Sequence, residues 1–216
     1  MIPAICGLIV GYLFGSVPFS WIAAKLVKGI DIRNYGSGTV SATMIGILIS
    51  KPLAVLVGCL DVFKALIPVS ISRREFTGIN IVVYAVGIGV LLGHNWPIWL
   101  NFHGGRGVSV ILGSLIILFP IGAVYLLLAL GLGKIFKAGA IFVLLALGSM
   151  PLLVYLFKKP PTVGWFTLAI FLICMIKRIE ANREPLPARD KKGVILRRIF
   201  LDRDTEDYYF WIHRRK

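Results

Sequence analysis

Apolar residues gather in long runs at about 3–27, 51–71, 79–96, 108–136, 139–157 and 162–176, separated by short polar stretches. At about 1.5 Å of rise per helical residue, the first run is long enough to cross a hydrocarbon core of roughly 30 Å. The run 108–136 is too long for one crossing and too short for two full ones. Phe119-Pro120 divides it, which predicts a short helix, a turn and a longer helix back. Inside the first run, GSVPFSW places Ser16 and Pro18, and the proline frees a backbone carbonyl that a packed neighbour or a polar group must satisfy. Asp61 and Lys64, in 51–71, are three residues apart and share a helix face. Charge at membrane depth is costly, so this pair is expected to face the bundle interior. Residues 72–78 read as a loop. The pattern predicts an all-α, polytopic membrane helical bundle of about seven transmembrane helices.

Composition supports that reading. The chain of 216 residues is 57% hydrophobic and 16% charged, where a soluble domain carries about a quarter charged residues. Residues 1–176 hold 12 basic and 3 acidic residues, and 177–216 hold 12 and 7, for a net +14. The basic excess therefore lies in short loops and the tail. Lys25, Lys28, Arg33, Arg106, Lys134, Lys137 and the tail share one predicted face, taken as cytoplasmic, with the amino terminus outside. Arg73, Arg74, Lys158 and Lys159 load the other face more weakly. No basic soluble domain exists to bind nucleic acid, so that function class is excluded. Two parts are expected: a transmembrane domain at 1–178 and a basic cytoplasmic tail at 179–216. The tail ends in DYYFWIHRRK, suited to lipid headgroups or to a disordered end with incidental aromatics. The first run lacks a basic leader and precedes several more runs, so it reads as a span and not a cleaved signal. Cys6, Cys59 and Cys174 lie in apolar runs and predict neither a disulfide framework nor a metal site.

Chemistry concentrates in two stretches at the edges of apolar runs. One is 93–113, GHNWPIWLNFHGGRGVSVILG; the other is 31–43, DIRNYGSGTVSAT. Glycines let a backbone approach a ligand closely, and a helix start favours an anion. Arg33 and Arg106 offer forked donors for phosphate oxygens, and Ser37 offers a hydroxyl. GGRG lacks the spacing and terminal Lys-Ser/Thr of a nucleotide loop, and neither HExxH nor GxSxG occurs. No metal and no cofactor are expected.

Spaced matches then identify a likeness. Ser16 and Pro18, Asp31 and Arg33, and Gly36, Ser37, Gly38, Ala42 and Thr43 form a first motif. Leu60, Asp61 and Lys64 form an LDxxK element, and Gly93, His94, Pro97, Phe102, Gly104, Gly105, Gly107 and Val108 form a second motif. Up to about Leu186 the chain resembles the bacterial acyl-phosphate:glycerol-3-phosphate acyltransferases. The resemblance implies a multi-pass enzyme of the bacterial plasma membrane with seven helices and a site facing the cytoplasm. Its substrates would be acyl phosphate and glycerol 3-phosphate, its product lysophosphatidic acid, and membrane lipid its surroundings. Ser37, Arg106 and Asn182 are the expected catalytic residues. Arg33, Gly36, Gly38, Thr39, His94, Gly104, Gly105, Gly107 and Arg178 are expected on substrate phosphate. Ser16, Asp31, Asp61 and Lys64 are expected to support them. The chain departs from the family pattern at Thr39, Ser41 and Met44, at Arg106 in place of lysine, and at Ile179 and Pro185 in the third motif, where Arg178 and Asn182 remain. Those departures leave room for a catalytically impaired or altered-substrate paralogue that binds phosphate-bearing lipid precursors. The residues by themselves also allow a small-anion transporter.

Overall fold

The computed structural model describes residues 2–77, 80–187 and 189–215. Among them the regular structure is helical, with one isolated antiparallel bridge between Tyr35 and Arg215. Among the described residues five segments are long and apolar enough to cross a membrane: Ile2–Lys28, Lys51–Glu75, Ile81–Leu100, Gly139–Leu156 and Pro161–Arg183.

The first of these is broken, as Pro18 requires, into α1 (Ile2–Gly15) and α2 (Phe19–Lys28). The break leaves the Val17 carbonyl without a helical donor, and the Lys64 ammonium reaches it at 2.9 Å. Ser16, fully buried, returns its hydroxyl to the Tyr12 carbonyl at 2.8 Å. After the first polar loop come α3 (Ala42–Leu48) and α4 (Lys51–Glu75). α3 is capped by the Ser41 hydroxyl on the Met44 amide at 3.4 Å. α4 is capped by the Ser50 hydroxyl on the Leu53 amide at 3.4 Å. The helix α4 runs four residues past the predicted end at 71. The extra turn brings Arg73 onto the Ile117 carbonyl, an orphan acceptor near the end of the next short helix.

Then follow α5 (Asn80–Asn95), α6 (Val108–Leu118), α7 (Pro120–Ile135), α8 (Gly139–Leu156) and α9 (Pro161–Glu180). The chain does break at Phe119-Pro120. α6 has 11 residues, so it is about 16 Å long and cannot cross a bilayer alone. Phe119 fills the break, 1% exposed, among the residues of α4 to α9 that form the main core.

Helices in lipid gain little from burial as such, because lipid tails are as apolar as leucine; close packing has to hold them. α1 and α5 meet through glycines spaced four apart. A methyl group on Gly11 or Gly15 would strike the Val86 or Val90 carbonyl, and one on Gly89 or Gly93 would strike the Leu8 or Tyr12 carbonyl. Mutual backbone contact of this kind fixes where His94, at the end of α5, lies.

Among the described residues the tail is folded. It contains α10 (Lys191–Leu201) and α11 (Tyr208–His213) and folds back onto the first polar loop. Arg198, 3% exposed, ties the tail to the end of α9. Its guanidinium bonds Asp204 at 2.7 and 3.0 Å and donates to the carbonyls of Ile179 at 3.0 Å and Glu184 at 2.9 Å. Ile212 then enters a second, smaller core with Ile32, Val40, Met44, Ile45 and Leu100.

Candidate active site

The two glycine-rich loops converge. In the first, Asp31 caps a short turn by accepting from the Arg33 amide at 3.0 Å, and its carboxylate grips the Arg33 guanidinium, with Oδ2 2.7 Å from Nη2. That hydrogen bond holds the Asp31 carboxyl at about 2, against a weaker opposing push from burial, and raises Arg33 in turn. Arg33 Nη1 donates across to the Leu100 carbonyl in the second loop at 3.1 Å. The Val40 amide donates to the Gly104 carbonyl at 3.2 Å. Asn182, buried at the end of α9, donates one amide to both loops, 3.1 Å from the Gly38 carbonyl and 3.2 Å from that of Gly104. It gets there because Ala181, Asn182 and Arg183 all have positive φ, 47°, 56° and 63°, which turns the chain sharply at a cost of roughly 1–2 kcal/mol per residue.

Above these loops lies a cavity of about 810 Å³. One wall is a row of hydroxyls, Ser37, Thr39, Ser41 and Thr43. Ser37 and Thr39 share a hydrogen bond of 2.6 Å, and Thr39 and Ser41 one of 3.3 Å. Arg106 and the start of α6 at Gly107, Val108 and Ser109 also line it. Gly107 caps that helix at φ +82°, a backbone state that disfavours any side chain, so the α6 amides open on the cavity without a cap in the way. Lys134 and Lys137 add charge, while Leu130, Ile141, Val143 and Leu147 add apolar surface. The lining is thus amphiphilic: Arg106, Lys134, Lys137 and a helix start stand with apolar residues of α7 and α8.

The buried ion pair Asp61–Lys64, 2.9 Å apart and 4% exposed on each side, faces the interior as the sequence predicts. His94 Nδ1 is 3.8 Å from Asp61 Oδ1, and both His94 and Asp61 touch the cavity.

Several expected site residues have their donors bonded within the scaffold. Arg33 is engaged by Asp31 and Leu100 and is absent from the cavity wall. Arg178 borders the cavity, yet its guanidinium donates to the Ile199 carbonyl at 2.7 Å and the Ala140 carbonyl at 2.8 Å. Asn182 staples the loops and lies outside the cavity wall. The amides of Gly36, Gly38 and Gly105 are bonded to the carbonyls of Arg214, Tyr35 and His94, so they form no open anion cradle. Gly104 and Gly105 admit no side chain because the His94 carbonyl and ring press on them. Ile179, at the departure in the third motif, is 41% exposed and does not border the cavity.

Several cavity residues went unread as site residues in the sequence, among them Ser109, Lys134 and Lys137, and from the tail Asp202, Arg203, Tyr208 and Trp211. Ser109 carried a signal, being the first hydroxyl after GGRG on a helix start. The tail residues carried none, since only the fold brings them across.

The family model described as glycerol-3-phosphate acyltransferase matches residues 5–186. "Glycerol-3-phosphate acyltransferase 5" of Dehalococcoides mccartyi is 33% identical over 216 residues, covering 95% of this chain and 91% of its own. The glycerol-3-phosphate acyltransferase of Anaeromyxobacter sp. (strain K) is 33% identical and covers 84% of this chain and 93% of its own. The fold is similar to crystal structures of PlsY, an integral membrane glycerol 3-phosphate acyltransferase. Its glycerol 3-phosphate form superposes with a TM-score of 0.75 at 32% identity, over 82% of this chain and 88% of that one. Its lysophosphatidic acid form gives 0.73 at 27% identity, over 91% and 93%.

Proposed function

This chain belongs to the glycerol-3-phosphate acyltransferase family, and from that premise we propose how its own residues carry the reaction. It is an integral membrane acyltransferase that forms lysophosphatidic acid from glycerol 3-phosphate. The observation that supports a mechanism is the amphiphilic cavity, whose lining combines Arg106 and the α6 start with apolar residues of α7 and α8.

The donor is acyl phosphate, with its chain between α7 and α8 and its phosphate on Arg106 and the α6 amides. Glycerol 3-phosphate lies against the hydroxyl row of Ser37 and Thr39, with Lys134 and Lys137 on its phosphate. The oxygen of its terminal hydroxyl attacks the acyl carbonyl carbon, the bond from that carbon to the phosphate oxygen breaks, and inorganic phosphate leaves. A phosphate oxygen of the donor takes the hydroxyl proton, so no protein base is required. Arg106 and the helix start stabilise charge growing on the leaving phosphate, and holding both substrates in one cavity supplies the alignment. Arg33, Asn182 and Arg178 keep the loops in place rather than touching substrate. The short α6 and α7 form a pair that completes about seven passes, with the loops on the cytoplasmic face of a bacterial plasma membrane.

The test is direct. Purified full-length protein given acyl phosphate and glycerol 3-phosphate should release lysophosphatidic acid and inorganic phosphate in equal amounts, and Arg106→Ala should lower the rate at least about 100-fold, as loss of one charge-stabilising donor does. Release of inorganic phosphate without acylated product would overturn the acyl-transfer reading.

A further inference from the structure

The family match ends at residue 186, yet the tail beyond it reaches the cavity and touches the arginine on which the proposed chemistry depends. Asp202 Oδ1 lies 2.9 Å from Arg106 Nε. On the other side, Arg106 Nη1 donates to the Lys177 carbonyl at 2.6 Å. Among the described residues, Nη2 has no hydrogen-bond partner. Both side chains are largely enclosed, 14% and 24% exposed.

Local structure aims Asp202 at this point. α10 starts at a cap where the Asp190 carboxylate accepts from the Gly193 amide at 3.2 Å. It ends at Asp202 itself, whose φ of 55° turns the chain out of the helix. Arg198 then clamps Asp204, two residues on, and ties the same turn to the end of α9. The turn is thereby fixed to the helix whose Lys177 carbonyl holds the other edge of Arg106.

From this geometry we propose that Asp202 is a positioning residue for Arg106, contributed to the active site by the tail. The Asp202 carboxylate and the Lys177 carbonyl pin two edges of the guanidinium and leave Nη2 to bind the phosphate of the acyl donor. This rests on the assignment of Arg106 to that phosphate. The Asp202 contact is held by charge more than by direction, because the two atoms are close but not aligned as a hydrogen bond, and each is otherwise buried without one. An amide in place of the carboxylate keeps the shape and loses the hold.

The experiment uses the full chain in detergent, with inorganic phosphate as the probe in calorimetry and both substrates in steady-state kinetics. Asp202→Asn should weaken phosphate binding and raise the KM for acyl phosphate by about tenfold, while the KM for glycerol 3-phosphate stays within about twofold. In an Arg106→Ala background, Asp202→Asn should add no further loss. Phosphate binding that is unchanged or tighter in Asp202→Asn overturns the proposal, and in the tighter case Asp202 is a competitor of substrate. Equal losses toward both substrates also overturn it, since a merely loosened wall behaves so. A wild type that binds phosphate but transfers no acyl group would sink the acyl-transfer reading, and the calorimetric comparison would still decide the role of Asp202.

Discussion

At the scale of single residues, the buried ion pair shows what a charge in this bundle is for. Lys64 bonds Asp61 and at the same time the Val17 carbonyl that Pro18 leaves free. Lys64→Met should therefore cost about 3–5 kcal/mol, because it strands a buried carboxylate as well as a carbonyl. Adding Asp61→Leu should recover a large part, read as thermal unfolding in detergent; no recovery would mean the Val17 contact dominates. The pair itself was legible, since three-residue spacing puts both charges on one helix face. Its third member was not, because only packing of α4 against the α1–α2 break sets it. Asn182 was legible as important and not as a staple for the same reason. The other residue-scale case is Asp31, whose folded value of about 2 is depressed by Arg33. A depressed carboxyl stabilises the fold above its unfolded value and loses that stabilisation as pH falls through the folded one. The difference in unfolding temperature between wild type and Asp31→Asn should thus hold steady down to about pH 4 and vanish near about pH 2. A difference that disappears by pH 6 would assign the effect to some other group.

At the scale of elements, glycine placement separates contact from flexibility. Gly93 and Gly11 sit where α1 and α5 touch through backbone, and an added methyl would meet the Tyr12 and Val86 carbonyls. Gly93→Ala should destabilise by about 1–3 kcal/mol, since backbone gives way less readily than a side chain. Gly131, inside α7, has nothing near the corresponding position. Gly131→Ala should be neutral or stabilise by up to about 1 kcal/mol through helix propensity. If both substitutions give the same change in unfolding temperature, the close crossing is not what holds α1 to α5. The sequence showed where helices break, because Pro18 and Pro120 act locally. It did not show that α4 continues to Glu75, because Arg73 gains its Ile117 partner only once α6 is in place.

At the scale of the whole molecule the described residues form two cores, and they divide the labour. The larger one joins α4 to α9 and includes no tail residue. The smaller one gathers the first loop, α3, Leu100 and Ile212 of the tail. Further contacts tie the tail to that loop: the Gly36 amide donates to the Arg214 carbonyl at 2.7 Å and Arg214 Nε donates to the Gly36 carbonyl at 3.2 Å, while the Arg214 guanidinium lies 3.6 Å from the centre of the Trp211 ring within the tail. None of this was legible, because an aromatic and basic tail on a membrane protein fits a lipid surface equally well by composition. The division makes a prediction about removing residues 190–216. The larger core should persist, so helical content of the membrane part by circular dichroism should be preserved. The first loop should loosen, with amide exchange at residues 31–45 faster by about 10-fold or more, as expected where buried contacts are removed from one locally cooperative unit. Acyl transfer should fall further than in Asp202→Asn, because Arg106 loses its partner while Arg178 loses the Ile199 carbonyl and the hydroxyl row loses Ile212 beneath it. A truncated chain with wild-type rate and unchanged exchange would show that the tail rests on the loops without supporting them.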